Sequence, residues 1–94
     1  MRVYISGPIT NNQNYKNDFK VAANYLLSEG YEIINPAGLD SVMPGDAEHS
    51  EYMSICIPLL DLADAIYMVP GWEKSQGACI EYGYAQGKDR IILG

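Results

Sequence analysis

Short apolar segments alternate with longer segments of helical periodicity along this chain, and that alternation limits the fold more than any other feature. The apolar segments are rich in Val, Ile and Tyr and are followed by Gly or Pro, as strands are; they are residues 2–6, 31–35, 65–69 and 90–93. Between the first two, the spacing of Tyr15, Phe19, Ala22 and Leu26 predicts a helix over residues 15–28. Further helices are predicted from Ser50 and over residues 76–86.

This β-α-β-α-β-α-β order favours a parallel sheet with helices on both faces, because each crossover between parallel strands is right-handed. We therefore expect one α/β domain over residues 1–94, three-layered and flavodoxin-like or Rossmann-like, with a parallel sheet of four to five strands. Residues 37–49 lack periodicity, so we expect a loop there with His49 on its surface. Pro58 is expected to kink or restart its helix near Ile57.

The net charge of −6 limits the class of ligand. Such a field repels polyanions, so we expect no nucleic-acid partner. A small mononucleotide fits better, provided that backbone N–H groups at a helix N-terminus hold its phosphate locally. A chain of this size buries only about two-thirds of its unfolded surface, so we expect a single subunit to be marginally stable. Association would bury more surface, which favours a homodimer or a higher homo-oligomer.

Neither a membrane segment nor a metal site is expected. The start of the chain lacks the pattern of a signal peptide and no apolar run is long enough to cross a bilayer, so we expect a cytoplasmic protein without a membrane partner. Cys56 and Cys79 do not form a CxxC pair, and His49 is the single His. We expect no metal and no redox cofactor.

The loops after the first and third predicted strands are the expected ligand site, because parallel sheets bind ligands beyond the carboxyl ends of their strands. These loops contain Ser6-Gly7-Pro8-Ile9 and Pro70-Gly71-Trp72. If Ser75 is the N-cap of the last helix, Glu81 lies nearly two turns further along and projects to almost the same side. Gly7 and Gly77 would let a ligand approach the backbone closely.

Two segments resemble the nucleoside 2-deoxyribosyltransferase superfamily, and most closely its small, often phage-encoded branch. They are Tyr-Ile-Ser-Gly-Pro-Ile, from Tyr4 to Ile9, and Pro-Gly-Trp-Glu-Lys-Ser-Gln-Gly-Ala-Cys-Ile-Glu, from Pro70 to Glu81. The resemblance implies that Glu81 is a nucleophile on the anomeric carbon and that Tyr4 positions its carboxylate. It also implies a nucleoside or nucleoside 5′-monophosphate as substrate.

The residue six positions before Glu81 favours one branch of this resemblance. The transferases carry Asp there, whereas the 5′-monophosphate N-glycosidases carry a Ser that contacts phosphate, and this chain has Ser75. The resemblance therefore implies a phosphate site at Ser75. The other residues expected to bind substrate are Ser6, Gly7, Pro8, Ile9, Trp72 and Gly77. For Trp72 two roles stay open, to stack on a base or to cover an apolar edge.

Cys56 departs from the family pattern, because both catalytic branches carry an Asp at the matching position. Asp61 or Asp64 would reach that place only in a different helix register. Two main functions therefore stay open. The first is an N-glycosidase or deoxyribosyltransferase that cleaves the N-glycosidic bond through Glu81, and the second is a catalytically silent module that binds or senses a nucleotide. A third alternative is an interaction protein that has kept only the fold.

Overall fold

The computed structural model describes all 94 residues, and its four strands form one parallel sheet in the order β2-β1-β3-β4. The strands are β1 (Arg2–Ser6), β2 (Glu32–Ile34), β3 (Ala65–Met68) and β4 (Ile91–Leu93). After β2 the chain crosses to the other side of β1 to form β3. The carboxyl ends of β1 and β3 therefore form the switch point at which such sheets bind ligands.

Three helices complete the layers. They are α1 (Tyr15–Ser28), α2 (His49–Asp61) and α3 (Gln76–Gly87). Helix α1 has the predicted bounds, and Gly30 follows its cap residue with a φ of 87°, the left-handed conformation that ends helices. Since α1 covers one face of the sheet and α2 and α3 cover the other, the predicted three-layer α/β fold is confirmed, with four strands.

The two faces of β1 bury different side chains, because side chains alternate along a strand. Val3 and Ile5 pack with Phe19 in the core beneath α1. Tyr4 and Ser6 project to the opposite face, where Tyr4 packs in the core beneath α2 and α3. This alternation puts a buried hydroxyl pair on the side of the sheet that carries the last helix.

The segment after β2 is more ordered than the sequence predicts. Pro36–Ser41 form a 3₁₀ helix, which Asn35 caps by accepting a hydrogen bond from the backbone N–H of Ala37 at 3.0 Å. At the other end, Glu48 and Glu51 form a capping box that starts α2 at His49. The expected loop over residues 37–49 is therefore wrong at both ends, and His49 belongs to a helix.

Pro58 does not restart helix α2, which continues through it to Asp61. Proline removes one backbone donor, but Pro58 is exposed, so the unpaired carbonyl one turn earlier is left to water. Cys56 and Leu60 hold the helix on either side by packing into the core. The expectation of a restart near Ile57 is wrong for this reason. None of the helices combines the length and apolarity that a bilayer span requires.

Candidate active site

Glu81 meets both hydroxyls of β1. It lies on the inner face of α3, where the Tyr4 hydroxyl donates a hydrogen bond to Oε2 at 2.5 Å and the Ser6 hydroxyl donates one to Oε1 at 2.6 Å. Each carboxylate oxygen therefore has its own donor. All three residues are buried, and Glu81 is only 6% exposed.

The electrostatics of this cluster follow from its burial. Burial raises the pKa of Glu81, while the hydrogen bonds from Ser6 and Tyr4 lower it and offset part of that effect. Burial, followed by the negative charge of Glu81, raises the pKa of Tyr4 above its ordinary value. Tyr4 is therefore a neutral donor throughout the physiological pH range, and no cation pairs with Glu81.

The carboxylate lies in the wall of a cleft of about 420 Å³. The cleft is bounded by the loop after β1, the start of α1, the 3₁₀ helix, the first half of α2 and the N-terminus of α3. Of the site residues predicted from sequence, those that line it are Tyr4, Gly7, Ile9, Ser75, Gly77 and Glu81. The structure thus brings the loop after β1 and the N-terminus of α3 to one cavity, whereas Pro70, Gly71 and Trp72 of the second expected loop do not line it.

The N-terminus of α3 opens onto this cleft. Ser75 caps the helix, since its hydroxyl accepts a hydrogen bond from the N–H of Ala78 at 3.2 Å. Gly77 follows without a side chain, and a Cβ built on it would lie 3.1 Å from Nε2 of His49. An imidazole therefore lies beside the first turn of α3, where N–H groups have no partner within the helix.

Three of the expected substrate-binding residues lie outside the cleft. Ser6 is behind its wall and bonds to Glu81, as described above. Pro8 does not line the cavity; its carbonyl accepts a hydrogen bond from Asn12 at 3.0 Å. Trp72 stacks on Tyr82, with ring centroids 4.7 Å apart, and packs on the core beneath α3. Of the two roles left open for Trp72, this placement fits the apolar cover.

The sequence interpretation missed a wall of the cleft formed by α2. His49, Tyr52 and Met53 line the cavity, together with Cys56, whose position the resemblance had already implied to be near the site. Their spacing of three, four and seven residues is that of one helix face, and Glu48 with Glu51 marks the helix start. The helical spacing is present in the sequence and could have found this wall, whereas the capping box was hidden because Glu48 is not a usual cap residue.

Asp40 is a second missed residue, from the 3₁₀ helix. Its Oδ2 accepts a hydrogen bond from the Tyr15 hydroxyl at 3.0 Å and pairs with Lys16 at 3.0 Å. The hydrogen bonds from Lys16 and Tyr15 hold the pKa of Asp40 below its ordinary value. No sequence pattern predicts this contact, because it joins α1 to a segment expected to be an irregular loop.

The thiol of Cys56 lines the cleft at the place where the resemblance implies an Asp. Burial raises its pKa, and the charge of Glu81 adds to that effect. Neither nearby acid replaces it, since Asp61 binds Arg90 and Tyr84, and Asp64 accepts a hydrogen bond from the backbone N–H of Arg2. No group of three His, Cys, Asp or Glu side chains is arranged to hold a metal ion.

Comparisons with known proteins agree with this architecture. A family model described as a domain of unknown function (DUF4406) matches residues 1–93. No curated protein matches the chain. Solved structures do match, and two of them are 2-deoxyribosyltransferases. The enzyme from Bacillus psychrosaccharolyticus has 13% identity and a TM-score of 0.76, and the enzyme from Leishmania mexicana has 20% identity and a TM-score of 0.72.

Each of these matches covers 98% of the present chain, which spans 69% of the bacterial enzyme and 61% of the Leishmania enzyme. At such identities the likeness shows the fold, and it agrees with the superfamily that the two sequence segments resemble. The chain belongs to the DUF4406 family, and its fold is that of the nucleoside 2-deoxyribosyltransferases.

Proposed function

We propose that this protein cleaves the N-glycosidic bond of a nucleoside 5′-monophosphate or nucleoside, with Glu81 as the nucleophile. The observation that carries the proposal is a buried carboxylate, held at both oxygens by hydroxyl donors, in the wall of a cleft of about 420 Å³. A buried carboxylate without a counter-ion is costly for the fold, and such groups concentrate at functional sites. The fold shared with two 2-deoxyribosyltransferases supports the same chemistry.

The proposed reaction has two displacements at C1′ of the sugar. In the first, a carboxylate oxygen of Glu81 bonds to C1′ while the C1′–N bond breaks; its electron pair leaves with the base, which takes a proton from solvent. In the second, water attacks C1′, the ester bond breaks, the Glu81 carboxylate leaves and the proton of the attacking water passes to solvent. The net products are free base and sugar phosphate, with retained configuration. A second base in place of water gives deoxyribosyl transfer.

The N-terminus of α3 supports a phosphate group on the substrate. Unpaired N–H groups and the helix dipole favour an anion there, and Ser75 and Gly77 border the cleft at that point. Gly7 and Ile9 lie on the facing loop. His49 adds a donor beside Gly77 in a chain whose net charge is −6. These contacts favour a nucleoside 5′-monophosphate over a nucleoside.

The second candidate is a module that binds a nucleotide without cleaving it, and Cys56 favours it. Because burial raises its pKa, this thiol is neutral at physiological pH and is a poor general base. Isothermal titration together with chromatography separates the candidates. Nucleotide binding with no base released over hours would identify the silent module.

We also propose that the protein forms a homo-oligomer. The edge strand β4 leaves one side of the sheet unpaired, and its Ile91 and Ile92 are 51% and 38% exposed. Apolar side chains on an open edge favour association. Light scattering on the purified chain measures the mass and distinguishes a dimer from a monomer.

Incubation with a panel of nucleosides and nucleoside 5′-monophosphates, followed by chromatography for free base, tests the proposed function. We expect base release from at least one 5′-monophosphate, reduced about a thousandfold or more in Glu81→Gln. Glu73→Gln is the matched control, since Glu73 is an exposed acid close to Glu81 in the sequence and does not line the cleft. Equal base release by Glu81→Gln would overturn the assignment of the nucleophile.

A further inference from the structure

We propose that Ser6 is a second positioning residue of the reaction, which fixes the orientation of the Glu81 carboxylate together with Tyr4. The inference rests on the proposed function, in which Glu81 must present one oxygen to C1′. It assigns to Ser6 a role in the chemistry rather than in substrate binding, because its hydroxyl lies behind the cleft wall and bonds to Glu81.

The geometry of β1 supplies the pair of donors. Residues two apart on a strand project to the same face and lie about 7 Å apart along it. Tyr4 has a long side chain and Ser6 a short one, so their hydroxyls reach the two oxygens of one carboxylate, at 2.5 Å and 2.6 Å. Both residues are fully buried.

Two donors fix the plane of the Glu81 carboxylate, which one donor does not. The last torsion of a Glu side chain has broad minima, so a single hydrogen bond leaves the carboxylate plane free to turn about the bonded oxygen. A second bond to the other oxygen fixes that plane. It also favours the ionised form of Glu81 against its burial, since a hydrogen bond to the charged form lowers the pKa.

The alternative is a purely structural role, in which the bond to Glu81 only provides the buried Ser6 hydroxyl with a hydrogen-bond partner. A buried hydroxyl needs a partner wherever one is within reach, and a carboxylate serves. The two roles differ in what the loss of the hydroxyl changes. A structural Ser6 affects stability alone, whereas a positioning Ser6 also affects the ionisation of Glu81 and the chemical step.

Titration of Glu81 and kinetics in Ser6→Ala test the proposal. Carbon-13 NMR of labelled Glu side chains, with the Glu81 signal assigned from Glu81→Gln, follows the carboxylate in the ligand-free protein. We expect Ser6→Ala to raise the pKa of Glu81, to lower kcat about tenfold with little change in KM, and to move the acid limb of the pH profile upward. Ser6→Thr, which keeps the hydroxyl, should restore these values in part.

Ser54→Ala is the matched control, because its hydroxyl bonds to the carbonyl of Glu51 on the exposed side of α2. If Ser6→Ala does not fold, Ser6→Cys keeps the volume with a weaker donor and should shift the same quantities in the same direction. An unchanged pKa of Glu81 and an unchanged kcat in the folded variant would overturn the role of Ser6. A shifted pKa in a protein that releases no base from any nucleotide would support the hold of Ser6 on Glu81 and overturn the proposed function instead.

Discussion

Glu81 combines a proposed chemical role with a cost to the fold. Burial of its carboxylate disfavours the charged form, and the donors Tyr4 and Ser6 offset only part of this, so its pKa in the folded protein lies above the ordinary 4.5. Below that ordinary value the group is protonated in both folded and unfolded chains. As pH rises through the folded pKa, the unfolded chain has already lost its proton, and the folded state loses stability.

We therefore predict that Glu81→Gln changes the pH dependence of stability. Gln keeps the shape and remains neutral, so it is free of the ionisation cost that Glu81 carries at neutral pH. Melting curves at about pH 4 and about pH 7.5 measure this. The variant should gain stability relative to the natural chain as pH rises between these values, while its base release is lost. Parallel pH profiles for the two proteins would contradict the burial of a charged Glu81.

Tyr4→Phe removes the other donor and leaves the ring in place. We expect kcat to fall about ten- to a hundredfold, because a hydrogen bond to a charged group is lost inside the fold, and the pKa of Glu81 to rise. Tyr25→Phe is the control, since Tyr25 is 52% exposed on α1 and lies outside the cleft. Steady-state kinetics across the acid range measure both effects, and wild-type kinetics in Tyr4→Phe would argue against its role.

The sequence predicts part of this cluster. The resemblance implies the pairing of Tyr4 with Glu81, and the helix period sends Ser75 and Glu81 to one side; both pairs line the cleft. The bond from Ser6 to Glu81 was not predicted. Strand alternation places Ser6 on the correct face, but which acid meets that face depends on how α3 packs across the sheet, and no local pattern encodes that distance.

The first turn of α2 contributes His49 to the end of the cleft at which α3 begins. We predict that His49→Ala weakens binding of a nucleoside 5′-monophosphate about three- to tenfold, an effect limited by the exposure of the side chain. The matching nucleoside is the internal control, because it lacks the phosphate and should bind both proteins alike. Isothermal titration measures the four affinities. An equal loss for both ligands would place His49 at another part of the substrate.

Gly7 links β1 to the cleft by close packing. A Cβ built on it would lie 2.6 Å from Cβ of Val69, with Phe19 also within contact. Gly7→Ala should therefore cost about 1–3 kcal/mol in the free energy of unfolding, as overpacked cores do. Gly83→Ala is the matched comparison, since a Cβ there meets nothing within 4 Å. Because Gly83 lies in the middle of α3, its replacement by Ala should raise the free energy of unfolding by about 0.5–1 kcal/mol. Chemical denaturation measures both changes, and a neutral Gly7→Ala would contradict this packing.

Helices and strands differ in how well the sequence predicts them. The strands and α1 agree with their predicted positions to within a residue or two, because hydrophobic period and flanking Gly or Pro are local signals. The 3₁₀ helix Pro36–Ser41 and the start of α2 at His49 were missed, because a 3₁₀ helix has no strong period and the capping box of α2 uses Glu48 rather than a usual cap residue. Pro58 does not restart α2, because Cys56 and Leu60 pack into the core on either side of it.

Across the whole molecule, charge and fold favour the same size of ligand. A net charge of −6 repels nucleic acid, while the switch point between β1 and β3 opens onto one cleft with a helix N-terminus at its end. The chain keeps this part of the fold although it spans only 69% and 61% of the two transferases. The alternation of strands and helices predicted that architecture, because right-handed crossovers leave few other arrangements.

Trapping with a 2′-fluoro nucleoside 5′-monophosphate tests the central claim most directly, because fluorine slows the breakdown of a glycosyl ester. Mass spectrometry of the intact protein and of its peptides then locates any adduct. The account predicts one sugar phosphate bound to the peptide that carries Glu81, and none in Glu81→Gln. Free base released by the natural chain with no adduct on Glu81, or an adduct that persists in Glu81→Gln, would contradict it.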